Sequence, residues 1–392
     1  MRTALTLFVV LILLAAACTP ATIETELPPQ QAASPPARTD TPAPTPTLAP
    51  TPAPTLVPME TALPTEAMGD TSAGFQFFPG NPVLASGGDA FWARKFIDPG
   101  AIVFHEGKFH MFYNGIESWP NPVGVGYATS EDGYHWERQV EQPLFRVTDL
   151  HPSGEFENLF VTSALVEEDG TWALYYYTMT GSSFTGPQSI FRATAPDPTG
   201  PWKADPEPAL EPGPEGAWDD VQVGSPDVLQ TDDGYLMYYD GMGEDSMIGM
   251  ATSADGVHWT KYDDPSTSTG IFAGSDPVLK TGGAAGGRRV LDPNVVRDGD
   301  RWVMIFLTTS GQSKFSPGIY RLGYALGEDG VHWSRPAENV LLSSTDIPEW
   351  KATFLVSLVH TLDTYYLYFD FALGGNRGTN VYLAVFTGDF AP

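Results

Sequence analysis

Cys18 is the only cysteine in this chain of 392 residues. No disulfide can form within a monomer, so an exported domain of this sequence must be held together by core burial alone. Basic residues are also scarce: 20 Lys and Arg stand against 48 Asp and Glu, a formal net charge of −28. A surface that acidic repels phosphate backbones and offers no basic patch to anionic lipid, which argues against nucleic-acid binding and electrostatic membrane docking. Charged residues of both signs make up only 17% of the chain, too few for long solvated helices. Apolar runs are short; the longest, residues 5–17, is below the length of a comfortable membrane span. The chain has no His-Glu-x-x-His, no cysteine cluster, no Gly-x-Ser-x-Gly and no P-loop, so the zinc, serine-nucleophile and nucleotide chemistries those motifs carry have no foothold. What it does have is 42% hydrophobic and 12% aromatic residues with 40 Gly and 36 Pro, the composition of a chain of short strands and turns with a sizeable core.

The N-terminus reads as an export signal: Met1-Arg2, then an apolar stretch ending in small residues. The cysteine follows directly at Ala15-Ala16-Ala17-Cys18, a run that resembles a bacterial lipoprotein signal, with Ala15 where Leu is usual. The resemblance implies cleavage after residue 17, lipidation of Cys18 and an extracytoplasmic, membrane-anchored protein. Residues 18–70 are rich in Thr, Pro and Ala, as in Thr41-Pro42-Ala43-Pro44-Thr45-Pro46. Such a segment cannot bury enough apolar area to offset chain entropy and favours an extended polyproline II stalk.

Residues 71–392 repeat. A Pro-apolar signature recurs as Asn81-Pro82-Val83-Leu84, Gln142-Pro143-Leu144-Phe145, Glu207-Pro208-Ala209-Leu210, Asp276-Pro277-Val278-Leu279 and Glu338-Asn339-Val340-Leu341, at intervals of 61, 65, 69 and 62 residues. Each is followed by an apolar strand, a turn and an aromatic strand, as in Ala101–Phe104 and Phe109–Tyr113, and then by a third strand such as Val123–Ala128. Three units share a turn: Ser130-Glu131-Asp132-Gly133-Tyr134-His135-Trp136, Ser253-Ala254-Asp255-Gly256-Val257-His258-Trp259 and Gly327-Glu328-Asp329-Gly330-Val331-His332-Trp333. A histidine that recurs in three units is read as structural, since one active site needs only one. Five such units predict an all-β fold, a five-bladed β-propeller. The fifth unit runs out of chain after three strands, and Phe75-Gln76-Phe77-Phe78 has no blade of its own. The N-terminal strand is therefore expected to complete blade five.

Over residues 75–390 the sequence resembles the five-bladed propeller superfamily of glycoside hydrolases, which includes families 32, 43, 68 and 130. The resemblance rests on Ile97-Asp98-Pro99-Gly100, Gly224-Ser225-Pro226-Asp227 and Leu291-Asp292-Pro293-Asn294, and on the Asp-Gly-x-x-Trp turns. It implies a carbohydrate substrate and carboxylates at the channel mouth, one to protonate the leaving oxygen and one to activate water or attack the sugar. Asp98 matches the first-blade Asp that is base in family 43 and nucleophile in family 32. Asp227 matches a substrate-contacting Asp of family 32, and Asp292 repeats the Asp-Pro pattern in blade four. The family's general acid, a Glu two residues before the blade-three proline, is replaced by Gly224. Asp220 and Glu157, near the entries of blades three and two, are the candidates to supply it. Trp92, Trp218 and Trp350 precede inner strands and offer faces for sugar or for blade packing. Arg94, Lys95, Arg288, Arg289 and Lys351 lie near channel entries and offer contacts for anionic sugars or phosphate. No cofactor is called for; Asp232-Asp233 and Asp263-Asp264 are candidate surface calcium ligands or plain solvated turns. The expectation is a monomeric cell-surface glycoside hydrolase, with a non-catalytic glycan-binding lipoprotein and a glycoside phosphorylase as alternatives.

Overall fold

The computed structural model describes residues 74–87, 91–181, 186–282, 287–311, 318–337, 339–345, 347, 350–373 and 378–390. The export signal, Cys18 and the Pro/Thr-rich segment lie outside the described residues.

The chain forms the expected five-bladed propeller. Blade one is Phe96–His105, Lys108–Ile116, Gly124–Ser130 and Glu137–Arg138, and blade two is Asn158–Val166, Trp172–Met179, Ile190–Ala195 and Lys203–Ala204. Blade three is Gln222–Thr231, Gly234–Met242, Ser246–Ser253 and Thr260–Lys261. Blade four is Arg289–Asp298, Arg301–Thr309, Tyr320–Gly327 and Trp333–Ser334. Blade five supplies Val356–Thr361, Thr364–Leu373 and Thr379–Thr387 from the end of the chain. Its fourth strand is Gln76–Phe77, which pairs antiparallel with Val385 and Ala384. The first strand of each blade is innermost, and each lies against the next until the fifth meets the first.

The Pro-apolar segments do not begin the blades that follow them. Phe145 pairs with Val125, Leu210 bridges Ile190, Leu279 pairs with Ile248, Val340 pairs with Gly323, and Leu84 bridges Val381. Each segment thus closes the preceding blade before the chain enters the next, so the sequence repeat and the structural blade are offset by one strand. The offset ties every blade to its neighbour through the backbone, and at Leu84 it ties the first unit to the last.

Packing between blades explains the aromatic strands. Among the described residues the buried apolar side chains fall into five clusters, one at each interface between neighbouring blades. The recurrent turns serve the same interfaces. Within a turn, Asp132 Oδ1 accepts from the Tyr134 and His135 N–H groups and its Oδ2 meets His135 Nδ1 at 2.8 Å. The Trp136 indole donates to the Gly133 carbonyl. That carbonyl also receives the Tyr368 hydroxyl of blade five at 2.7 Å, and the Gly256 and Gly330 carbonyls receive Tyr175 and Tyr238 of the preceding blades in the same way. Each of these bonds contributes about 1 kcal/mol net and fixes the angle between blades. The three histidine side chains are more than three-quarters exposed on these turns, as expected of structural residues.

Candidate active site at the channel mouth

The innermost strands enter the channel irregularly. Blade one carries a bulge between Asp98 and Ala101, blade two between Val161 and Ser163, blade three between Gly224 and Asp227, and blade four between Leu291 and Asn294. A bulge re-aims side chains and recurs beside active sites. In blade one the bulge depends on Gly100, whose φ is +55° and whose missing Cβ would lie 2.0 Å from the Phe112 carbonyl oxygen. In blades three and four the strained residues are not glycine: Ser225 has φ +43° and Asp292 has φ +50°. Such conformations cost on the order of 1–3 kcal/mol each and persist only where the surroundings over-determine them.

The surroundings here are one another. Ser225 Oγ donates to Asp292 Oδ1 at 2.5 Å across the interface between blades three and four, with both residues buried. Asp98 is also buried; its Oδ1 accepts from Asn114 Nδ2 at 2.7 Å and from the Gly100 N–H at 3.1 Å. Asn114 sits directly across the ladder from Asp98 and reaches on to the blade-two strand, exchanging two bonds with Val161. Asp98 is thereby fixed in orientation by two blades.

Blade three supplies a group that the motifs did not reveal. Asp240, on the second strand, pairs across the ladder with Gly224 and is buried. A Cβ on Gly224 would lie 3.2 Å from Asp240 Oδ1, 3.1 Å from Gln188 Oε1 and 3.6 Å from the Tyr177 ring. The space a side chain at position 224 would take is thus bordered by the Asp240 carboxylate. A sequence signal existed: Tyr239-Asp240-Gly241 falls at the same place in its unit as Tyr113-Asn114-Gly115, opposite the strand entry. Asp98, Asp240 and Asp292 act on one common neighbour. Burial, then the fields of Asp292, Asp240 and Asp98 in that order, push the Tyr177 phenol well above its ordinary range. Carboxylates from blades one, three and four thus exert their fields on one buried blade-two tyrosine.

The other expected residues lie elsewhere. Asp227 is half-buried. Burial raises its pKa to about 7, against the lowering effect of the Val295 N–H it accepts at 2.6 Å. That bond is one of a series: Ser163 Oγ accepts from the Val228 N–H and Asn294 Oδ1 from the Leu358 N–H. The geometry makes Asp227 an inter-blade latch, and nothing in it singles out a substrate contact.

Asp220 Oδ2 accepts from the Gly216 N–H within its own loop, and Glu157 is exposed where the blade-two strand begins. Neither is among the carboxylates that act on Tyr177. Asp219 is fully buried and holds Lys261 at 2.6 Å. Trp92 and Trp218 are corrections to a sugar-stacking role. Both are buried, stacked on Tyr113 and Tyr239, with their indoles donating to the Glu141 carbonyl and to Ser275 Oγ. Trp350 is buried likewise, bonded to Thr353. Arg94 is more than half exposed and pairs with Glu117 at 2.8 Å. Arg289, by contrast, is buried at the first residue of the blade-four inner strand. Asp264 accepts from the Ser266 N–H of its own turn, and among the described residues no group of three or more His, Cys, Asp or Glu is placed to hold a metal ion.

Known proteins share this architecture. Residues 94–274, which span blades one to three, match the glycosyl hydrolases family 32 N-terminal domain. A stretch of 78 residues is 37% identical to the extracellular exo-inulinase of Aspergillus niger and to that of Aspergillus ficuum, covering 19% of this chain and 14% of those enzymes. Among solved structures, a glycosyl hydrolase from Bacteroides ovatus superposes with a TM-score of 0.58 at 18% identity, covering 84% of this chain and 96% of that one. A thermostable family-43 glycoside hydrolase gives a TM-score of 0.58 at 16% identity, covering 79% and 94%. The chain thus has the fold of the glycoside hydrolase β-propellers and, over its first three blades, the sequence pattern of the family 32 N-terminal domain.

Proposed function

We propose that this protein is a cell-surface glycoside hydrolase acting on oligo- or polysaccharide with carboxylates at the channel mouth. One observation carries the reading: buried Asp98 and Asp292 sit at bulged inner-strand entries, buried Asp240 lies across the ladder from the blade-three entry, and the charges of all three act on buried Tyr177. Hydrolysis of a glycosidic bond needs a proton on the departing oxygen and an attack on the anomeric carbon by a carboxylate or by water that a carboxylate deprotonates. Asp98, pinned by Asn114 and Gly100, is oriented for the second role. Asp240, beside the gap that Gly224 leaves, is placed to supply the acid in place of Asp220 or Glu157. Asp292, held by Ser225, is the third carboxyl group offered to an oxocarbenium-like transition state. The extracellular exo-inulinases that share 78 residues support an extracytoplasmic setting, and Cys18 with the segment to residue 70 would supply the anchor and stalk.

The test is to incubate the full chain with arabino-, xylo-, fructo- and manno-oligosaccharides, with and without phosphate, beside Asp98→Asn. Sugar release that needs Asp98 and not phosphate is the expected result. Release only with phosphate would make the protein a phosphorylase. Saturable binding without release would favour a tethered glycan-binding protein, the reading that Gly224 in the acid position supports.

A further inference from the structure

Of the five cations expected near the channel entries, Arg94, Arg288 and Lys351 are exposed and Lys95 is half-buried. Arg94 pairs with Glu117 and Arg288 with Asp245, Lys95 lies over the Phe96 ring, and Lys351 is exposed. Arg289 is different. It is only 8% exposed, although it carries a full charge on a long side chain. It reaches from the entry of blade four to blade three, where Nη1 donates to the buried Ser246 Oγ at 2.7 Å and touches Met242 Sδ. Its Nε has no acceptor, and no carboxylate among the described residues lies within ion-pair distance of it. The chain holds 48 acids against 20 bases, so a carboxylate for this guanidinium was not in short supply.

A buried guanidinium without an anion is costly unless something else completes it. The other charged groups acting on it are Arg288, which disfavours its charge, and Asp245 and Asp240, which favour it. Arg289 begins the inner strand that carries Asp292 three residues on, and Met242, which it touches, stands two residues from Asp240 on the second strand of blade three, so Arg289 belongs to the rim of the candidate active site.

We infer that Arg289 anchors an anionic group, a carboxylate or a sulfate ester, on the glycan that occupies this site, between blades three and four and beside Asp240. A guanidinium presents paired donors that match two oxygens of such a group, which gives orientation as well as affinity. The surrounding acidic surface repels the same anion, but over distances screened beyond about 10 Å at 0.1 M salt, so recognition is local. The inference rests on the reading of the channel mouth as a sugar site and narrows it to charged sugars.

The experiment uses the full chain and two readouts, calorimetric binding and sugar release. The probes are a panel of uronate-containing oligosaccharides with their carboxyl-reduced neutral counterparts, a panel of sulfated oligosaccharides with their desulfated counterparts, and inorganic phosphate alone. The expected result is that an anionic probe binds at least about 10-fold tighter than its neutral counterpart. Arg289→Gln should erase that difference, and Arg289→Lys should restore part of it. The two panels decide between carboxylate and sulfate. Equal binding of charged and neutral partners throughout, or a preference that survives Arg289→Gln, overturns the inference. Binding of phosphate alone, with no preference among glycans, overturns it as well. If circular dichroism shows that Arg289→Gln is unfolded, the wild-type comparison and Arg289→Lys decide. Charged preference without sugar release would sink hydrolysis and keep the inference; release from neutral probes alone would do the reverse.

Discussion

Blades one and four both enter the channel through an Asp-Pro dipeptide, and the two aspartates end in different places. Asp98 is paired in the ladder just before its bulge, whereas Asp292 is inside its bulge with φ +50°. By register, Asp98 corresponds to Gly224 and Leu291, and Asp292 corresponds to Ser225 and Pro99. Asp227, beside the third proline, falls one step beyond the bulge and becomes a latch to Val295. The same two residue types thus give an oriented carboxylate, a strained carboxylate and an inter-blade bond. The position relative to the bulge decides which, because each step along a strand turns the side chain to the other face.

The largest effect should come from blade one. Asp98→Asn keeps an acceptor for Asn114 and Gly100, so the fold should survive while sugar release falls on the order of 10³-fold or more; unchanged release would remove Asp98 from the chemistry. Asp240→Asn comes next. It should slow natural substrates by roughly 10²–10⁴-fold but spare a 4-nitrophenyl glycoside, whose leaving group needs no proton. An equal loss on both substrates would deny Asp240 the role of acid.

Asp227→Asn should act on stability. Its carboxyl is raised in the folded protein to about 7, above its value in the unfolded chain. Between those values the native state holds the extra proton, so stability is full at low pH and falls as pH rises through about 7. Asparagine keeps the bond to Val295, as Asn294 does for Leu358 in blade four. Thermal unfolding from pH 4 to 8 should show that slope flatten in Asp227→Asn, with a gain at pH 8 on the order of 1–3 kcal/mol. A wild-type slope that the variant leaves intact would assign it to another group. The smallest effect is at Gly224→Ala, where a methyl crowds Gln188 and Asp240 at 3.1 and 3.2 Å. A loss of roughly 1 kcal/mol in stability is expected, with a change in activity toward natural substrates and none toward the 4-nitrophenyl glycoside.

Much of this was legible in the sequence. Units recurring every 61 to 69 residues set the blade count, the fifth unit's missing strand pointed to Phe75–Phe78, and His135, His258 and His332 were structural because they recur. Asp98 was a candidate from its Asp-Pro-Gly context. Asp240 was not, because it lies on an aromatic strand and enters the site only by pairing with Gly224. Trp92 and Trp218 stayed ambiguous between sugar and blade packing, since an indole before a strand reads alike whether it faces sugar or stacks on a tyrosine of its own blade.

The sequence by itself determined a repeated β architecture and its closure, because hydrophobic alternation and turn chemistry are local and add up along the chain. Only the tertiary structure decided which carboxylates act on a common neighbour and which buried cation has no carboxylate partner among the described residues. Those depend on the register of each bulge and on contacts across blades, as between Ser225 and Asp292, 67 residues apart in the chain.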